Sequence, residues 1–453
     1  MNRIELIEWF SKIEKDAKFN HEAVDIWPIL KSDLFFHWYK QSNTSSQSLS
    51  KKKKMPFYNR IKKLVSFFLN ISRDYRNRRS LYAGFSAHRA MVNGRFVNKF
   101  FTEFTHGGKS IEIEYGQIDS SKNYENYKDI LFLEHLEPLT KLLNFFVKKR
   151  SYLYEEVIDV IRRFNVEVDT LPDNYIKKFE GKLHLIRVYS MIFSYLLKKL
   201  KVEKVYVLCY YNIQMFALVY AANKLGIITY DVQHGSQGPL HPMYFFSGLK
   251  SELGYPKTLP SNFWCWDEAS ASSLRNWLPP NRSERVENRG NPWINYSIQH
   301  HGTDYGNSIN QAKNNIIVTL QEPVLSETLL EVIESLDSSR FIWWLRFHPR
   351  MMEKKEYWAS YFSSKSIKNI EIDMASKIPL PILLTNSFLH ISRYSGSIIE
   401  GCILGTRTFI TDQIGIETYG YYIDNTKVFN TVDFTAKELL SLIESFDDGI
   451  QDN

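Results

Sequence analysis

Two doubly wound, Rossmann-like α/β domains, preceded by a helical and basic N-terminal segment, are what this amino-acid sequence predicts. Three observations carry the prediction. From residue 80 onward, short runs rich in β-branched and aromatic residues alternate with helix-length segments, the pattern of parallel strands joined by crossover helices. The alternation runs in two series with no internal sequence repeat. At 453 residues the chain is also longer than one ordinary core organises.

Residues 1–40 read as helix, with Trp9, Phe10, Ile13, Ile26, Trp27, Leu30 and Leu34 at helical spacing. A polar, low-complexity stretch follows over 41–54. Residues 51–79 hold eleven Lys and Arg against one acid, Asp74. Tyr58, Ile61, Leu64, Val65, Phe67, Phe68 and Leu69 are interleaved among them at roughly helical spacing. This composition suits either a solvated basic face or an interfacial helix docked on an anionic membrane surface. No nucleic-acid-binding motif accompanies it. Ser80–Phe85 is the first core strand, 129–134 the second, and a long helical region spans about 137–201. Strand 205–209, helix 213–225 and strand 226–232 complete the first domain, placed at 80–255 after a segment at 1–79. The second domain, 256–453, begins with strands 262–266 and 286–289 and a polar loop at 300–313. It continues with strand 315–320, helix 324–336, strands 341–347, 369–373 and 382–391, helix 397–404 and strand 407–411.

A hydrophobic content of 44% and a negative mean hydropathy fit a water-soluble fold. No apolar run reaches the ~18–20 residues that span a bilayer, and the N-terminus lacks a signal-peptide core. The three cysteines (Cys209, Cys265, Cys402) lie far apart in apolar segments, as buried thiols of a reducing compartment do. These features predict a cytoplasmic protein, docked peripherally on the inner face of the membrane if the basic segment binds it.

Ser395-Gly396-Ser397 lies between an apolar run and a helix, where free backbone N–H groups and the positive helix end favour a phosphate. Glu400, in the first turn, either accepts from ribose hydroxyls or complements the dipole. Upstream, a strand ends in Arg346-Phe347-His348-Pro349-Arg350. His348 is placed to bond a donor phosphate, with Arg346 or Arg350 adding charge. Thr319 or Gln321, at the end of another buried strand, joins this donor set. In the first domain, Tyr230-Asp231-Val232-Gln233-His234-Gly235 follows a buried strand directly. His234 is the first candidate general base for an acceptor hydroxyl, and Asp231 either orients it or is the base itself. His241, in the His-Pro that follows, and Ser86, His88, Arg89 and Asn93 after the first strand are candidates for the acceptor. Ligands in such folds bind beyond the carboxyl ends of the strands, here expected in a cleft between the domains.

The Gln-His-Gly loop followed by His-Pro-X-Tyr, the Arg-X-His-Pro strand end and the Ser-X-Tyr-Ser-Gly-Ser turn resemble bacterial surface-polysaccharide enzymes of the GT-B architecture. These include capsule and lipopolysaccharide glycosyltransferases, among them His-Pro-motif sialyltransferases and capsular Kdo transferases, and the CDP-glycerol glycerophosphotransferases. The resemblance covers mainly residues 226–245 and 315–412. It implies that His348, Ser395 and Ser397 hold a cytidine-linked phosphate and that His234 is catalytic. The Asp/Glu-Asp/Glu-Gly base motif of the sialyltransferases has no counterpart in the N-terminal half; the one such triplet, Asp447-Asp448-Gly449, lies near the C-terminus.

The expected function is glycosyl transfer from a nucleotide-activated donor, CMP-linked favoured, to a lipid-linked or growing surface glycan. No Asp-X-Asp occurs, so neither a metal nor another cofactor is expected, and inversion is favoured. Alternatives are polyol-phosphate transfer from a CDP-alcohol, a non-catalytic glycan-binding protein, and a two-domain nucleotide-sugar epimerase.

Overall fold

The computed structural model describes residues 1–42, 56–73, 79–92, 94–105, 110–115, 122–124, 130–148, 153–238, 240–246, 248–249, 254–278, 285–306, 309, 313–322, 324–423 and 427–451. They form two compact units, one of Met1–Ala90 with Gly94–Gly290 and the other built on Asn291–Asn453. Each is an α/β domain around an all-parallel sheet, the doubly wound class expected from the alternating pattern.

The strands are β1 (Ser80–Phe85), β2 (Arg89–Val92), β3 (Arg95–Asn98), β4 (Ser110–Tyr115), β5 (Ile130–Phe132), β6 (Lys204–Val207), β7 (Ile228–Val232), β8 (Asn262–Cys265), β9 (Val286–Asn288), β10 (Asn314–Leu320), β11 (Phe341–Phe347), β12 (Ile370–Glu371), β13 (Leu389–Ser392), β14 (Thr408–Ile410) and β15 (Val428–Asn430). The first unit holds a seven-stranded sheet in the order β5-β4-β1-β6-β7-β8-β9, and the second a six-stranded sheet in the order β12-β11-β10-β13-β14-β15. In each, the chain winds outward on one side and then returns to build the other. The order therefore reverses between β1 and β6 in the first sheet and between β10 and β13 in the second. β2 and β3 pair apart from both sheets.

β10 and β11 are buried along nearly their whole length, which is why they read as continuous apolar runs and not as alternating ones. In the first unit the residues aligned across β1, β6, β7 and β8 are Ala83, Val207, Asp231 and Phe263, so a carboxylate sits in an otherwise apolar row. The neighbouring row is aromatic. Tyr206 stacks on Tyr82 at 4.7 Å and on Tyr230 at 4.9 Å, and the Arg289 guanidinium lies over Tyr230 and Trp264.

The division differs from the expected one at both boundaries. The strands at 262–265 and 286–288 extend the first sheet, so the units part after Gly290 and not near 255. The N-terminal helices Arg3–Asp16 and Ala23–Ser42 are not a separate segment, since Phe10, Trp27 and Leu30 share one core with Leu81, Ile111 and Val205. Their junction with the first unit is polar as well. Lys31 Nζ, wholly buried, donates to Glu14 Oε1 at 2.8 Å and to the Phe245 carbonyl. Glu14 also accepts from Trp27 Nε1 at 2.9 Å and from the Gly248 amide at 3.1 Å.

Local expectations differ in three further places. The run expected as strand 382–391 is helix Leu380–Thr385 followed by β13, because Pro381 suits the first turn of a helix. The stretch expected as a loop from 300 continues helix Pro292–Gly306. The helical region 137–201 is three helices, Glu137–Phe146, Glu155–Glu167 and Tyr175–Leu200.

Candidate active site residues in each unit

In the first unit the reversal between β1 and β6 is where side chains from three strand ends meet. The turn after β6 passes through Cys209, which takes a left-handed φ of 59°, costly for a residue with a Cβ. Asn212 fastens this turn by donating to the Cys209 carbonyl at 3.1 Å and by capping helix Ile213–Lys224 at the Met215 amide. Tyr211 is thereby held beside the loop after β7, its hydroxyl 3.5 Å from His234 Nε2. The His88 ring, from the short helix after β1, meets the His234 ring edge-to-face at 5.3 Å.

His234 Nδ1 lies 3.3 Å from the Val232 carbonyl. A carbonyl only accepts, so Nδ1 carries the proton and Nε2 presents its lone pair. Burial pushes the imidazole down to about 4, so it is neutral at physiological pH. Gln233 fixes the loop: its Nε2 donates to the Gly235 carbonyl and Ser270 Oγ, and its Oε1 accepts from the Trp266 amide at 2.6 Å.

Asp231 is completely buried. Its Oδ2 accepts from Tyr244 Oη at 2.7 Å and from Gln237 Nε2 at 3.1 Å, while Oδ1 has no partner among the described residues. Burial raises its carboxyl to about 7 against the lowering effect of those hydrogen bonds. No hydrogen bond joins it to His234 among the described residues, so the expected orienting role falls to the Val232 carbonyl and Tyr211.

The acceptor candidates divide. Ser86 and His88 lie half-buried at the end of β1, and His88 Nδ1 has no partner among the described residues. His241 is used locally, with Nδ1 accepting from the Met243 amide and the ring set between Tyr211 and Tyr244. Arg89 is withdrawn from solvent: its guanidinium donates to Glu112, to Glu114 at 3.0 Å and to the Phe96 carbonyl. That ion-paired burial removes it from the acceptor set. Asn93 lies outside the described residues.

In the second unit the reversal between β10 and β13 brings together residues far apart in the chain. Thr319 Oγ1 is a hub, 3.0 Å from His390 Nε2, 2.9 Å from Ser392 Oγ and 2.9 Å from Ser397 Oγ. His390 Nδ1 reaches Thr408 Oγ1 at 3.3 Å, and burial lowers its imidazole to about 3. Gly401 makes room for this cluster, because a Cβ there would lie 2.7 Å from Thr408 Oγ1. Ser397 Oγ is therefore buried inside the network and does not face a ligand, which corrects its expected role.

Above the network the turn from Arg393 to Gly396 is pinned from both sides. Arg393 donates to Glu322 at 2.5 Å and to Asp412 at 2.6 and 3.0 Å, and Tyr394 Oη donates to Glu322. Gln321 bridges its own strand end and the turn, donating to the Thr319 carbonyl and accepting from the Tyr394 amide. The Ser397 amide donates to Ser395 Oγ at 3.2 Å. Among the described residues the amides of Ser395 and Gly396 donate to no acceptor. Helix Ser397–Leu404 begins immediately beyond, over the residues expected.

His348 is exposed at the end of β11, its amide bonded to the Leu320 carbonyl at 3.2 Å, so it stands beside the reversal. Arg346 is anchored through Nη1, which donates to the Ala375 and Ile378 carbonyls, both at 2.6 Å, at the end of helix Asp373–Lys377. Burial pushes its guanidinium down to about 10, and the charge of buried Glu400 works against that shift. Arg350 lies in the short helix Pro349–Lys354, and its side chain is outside the described residues. Asp447 is taken up by Arg340 and Asn314. Among the described residues no cluster of metal-ligating side chains occurs.

Tyr211 and His390 are the members that sequence reasoning missed, and they became visible only through strand order. Thr319, expected with Gln321 to line the nucleotide site, is instead the buried centre of the network.

No protein-family model matches the chain, and no curated protein sequence matches it. Among solved structures it is similar to the UDP-GlcNAc 2-epimerase of Methanocaldococcus jannaschii, at 14% identity over 81% of this chain and 92% of that one, with a TM-score of 0.46. The UDP-GlcNAc 2-epimerase of Neisseria meningitidis bound to UDP-GlcNAc matches at 15% identity over 82% and 91%, with a TM-score of 0.43. The wall teichoic acid polymerase TagF matches at 12% identity over 87% and 93%, with a TM-score of 0.42. Likenesses of this degree leave the chemistry of the chain to be argued from its own residues.

Proposed function

We propose that this chain is a transferase that moves a sugar from a nucleotide-activated donor, CMP-linked favoured, to a hydroxyl of a lipid-linked or growing surface glycan. The observation that carries the reading is the pinned turn at the reversal of the second sheet. Two adjacent amides, Ser395 and Gly396, are without acceptors among the described residues at the start of a helix, where a phosphate gains hydrogen bonds and the helix dipole together. Ser395 Oγ and His348 supply further polar groups at neighbouring strand ends.

In this reading the neutral His234 Nε2 takes the proton of the acceptor hydroxyl as its oxygen attacks the anomeric carbon. The bond from that carbon to the donor phosphate breaks, and the charge left on the phosphate is met by the preorganised amides. Tyr211 and the Val232 carbonyl hold the imidazole in the tautomer the step requires.

Titration calorimetry with CMP, CDP, UDP and GDP tests the donor site. Gly396→Pro removes one amide N–H, and the φ of −58° at this position is one that proline adopts. It should weaken nucleotide binding by about 10- to 150-fold, the worth of a charge-assisted bond, while Gly396→Ala does not. His234→Ala should keep nucleotide affinity and lower turnover by roughly 10²–10⁴-fold. Equal affinity in the proline and alanine variants would remove the donor site. Turnover of a nucleotide sugar without any acceptor would replace transfer by epimerisation.

A further inference from the structure

We infer that helices Phe57–Arg73 and Glu137–Phe146 form a docking face for an anionic phospholipid surface. The inference is independent of the chemistry proposed above. Both helices belong to the first unit and pack side by side, joined by the Arg60–Glu137 ion pair at 2.7 Å. Each has an inner side that meets the protein, through Leu64 on the first and Leu139, Leu143 and Val147 at the second. Each also has an apolar stripe that the protein leaves exposed. On the first helix Tyr58, Ile61, Val65 and Leu69 recur every three or four residues along one line, and Tyr58 is 76% exposed. On the second, Leu142 is exposed and the adjacent Phe145 and Phe146 are 84% and 71% exposed. Two phenylalanines side by side at a helix end are the largest apolar groups the described surface offers to water.

Charge decides the occupant. Helix Phe57–Arg73 contains Arg60, Lys62, Lys63 and Arg73 and no acid. Helix Glu137–Phe146 has Glu137 as its one acid, already shared by Arg60 and Lys141. The chain then continues as Val147-Lys148-Lys149-Arg150, and the sequence before the first helix carries Lys51 to Lys54. The cores of protein interfaces are depleted in lysine, whereas a helix lying in a lipid headgroup region pairs a Phe- and Leu-bearing face with a Lys-rich one. The anion implied is therefore a sheet of phosphate headgroups over hydrocarbon. Among the described residues no helix is long and apolar enough to cross a membrane, so the mode is lying on the surface.

Flotation of the full chain with vesicles tests this. Phosphatidylcholine vesicles with phosphatidylglycerol should carry the protein at low salt, and phosphatidylcholine alone should carry much less, because each lysine near an anionic surface adds to the attraction and salt screens it. Phe145→Ser with Phe146→Ser should lower partition by roughly tenfold or more per phenylalanine. Lys62→Glu with Lys63→Glu should move the salt concentration at which binding is lost downward. The phenylalanine variant should unfold at the wild-type temperature, since both altered side chains are exposed. Three results would overturn the inference. One is no flotation on anionic vesicles at low salt; another is flotation of the phenylalanine variant equal to wild type. The third is sedimentation showing that the phenylalanines instead hold two copies of this chain together while vesicles recover neither protein.

Discussion

Replacing Asp231 with asparagine tests electrostatics and chemistry in one variant. The carboxyl lies in an apolar row of the sheet, one oxygen without a partner among the described residues, and burial raises it to about 7 from an ordinary 3.8. The sign follows from proton counts. Between those two values the folded protein binds more protons at this position than the unfolded chain does, so stability falls as pH rises across that window. At 1.36 kcal/mol per unit the full penalty above pH 7 is about 4 kcal/mol, of which about 2.5 kcal/mol develops between pH 5 and 8. The asparagine side chain cannot ionise, and its amide oxygen can still accept from Tyr244. Asp231→Asn should therefore gain on wild type as pH is raised from 5 to 8, by an amount of that order in urea titrations at matched temperature. If Asp231 only shapes the fold, turnover should survive the change. If it is the base, turnover should fall as far as in His234→Ala. A stability difference that does not vary with pH would refute the raised pKa and show a carboxylate ionised throughout.

Two further outcomes follow from buried polar groups. Lys31→Met should destabilise the first unit by about 3–5 kcal/mol, because Glu14 would be left charged and without its cation, and adding Glu14→Gln should recover much of the loss. A double variant no more stable than the single one would show that the pair is not the cause. Thr319→Val keeps the shape of the hub but removes the hydroxyl shared by His390, Ser392 and Ser397. It should cost about 1–3 kcal/mol in the second unit and speed hydrogen exchange at Ser395 to Ile398; unchanged exchange there would separate the network from the turn.

Much of the second sheet could be read from the chain because its strands are buried on both faces and bounded by polar turns. β10, β11 and helix Ser397–Leu404 were legible for that reason. β4 was not: Ser110-Ile111-Glu112-Ile113-Glu114-Tyr115 alternates apolar and acidic residues and resembles an exposed edge. It is interior because Arg89, on another strand, enters beneath it and pairs with both acids. The same limit applies to the candidate sites. His234 and Ser395 could be picked out because each lies on a turn that directly follows an apolar strand. Tyr211 and His390 acquire meaning only from adjacency between strands, which no local pattern encodes. The boundary near 255 was misplaced because β8 and β9 are short and continue the first sheet by position alone, with the same composition as strands of the second.

The bonds from Glu14 and Lys31 to Phe245 and Gly248 also bear on how the chain is made. Helices Arg3–Asp16 and Ala23–Ser42 are synthesised well before two of the groups that complete their buried ion pair, the Phe245 carbonyl and the Gly248 amide, which are more than 200 residues downstream. At synthesis rates of about 5–20 residues per second, that interval is roughly 10–40 s. Throughout it Glu14 and Lys31 have each other and Trp27 as partners but lack these two backbone groups. The polar junction of these helices is thus completed late, and a nascent chain halted before residue 245 would leave buried Lys31 without its carbonyl acceptor.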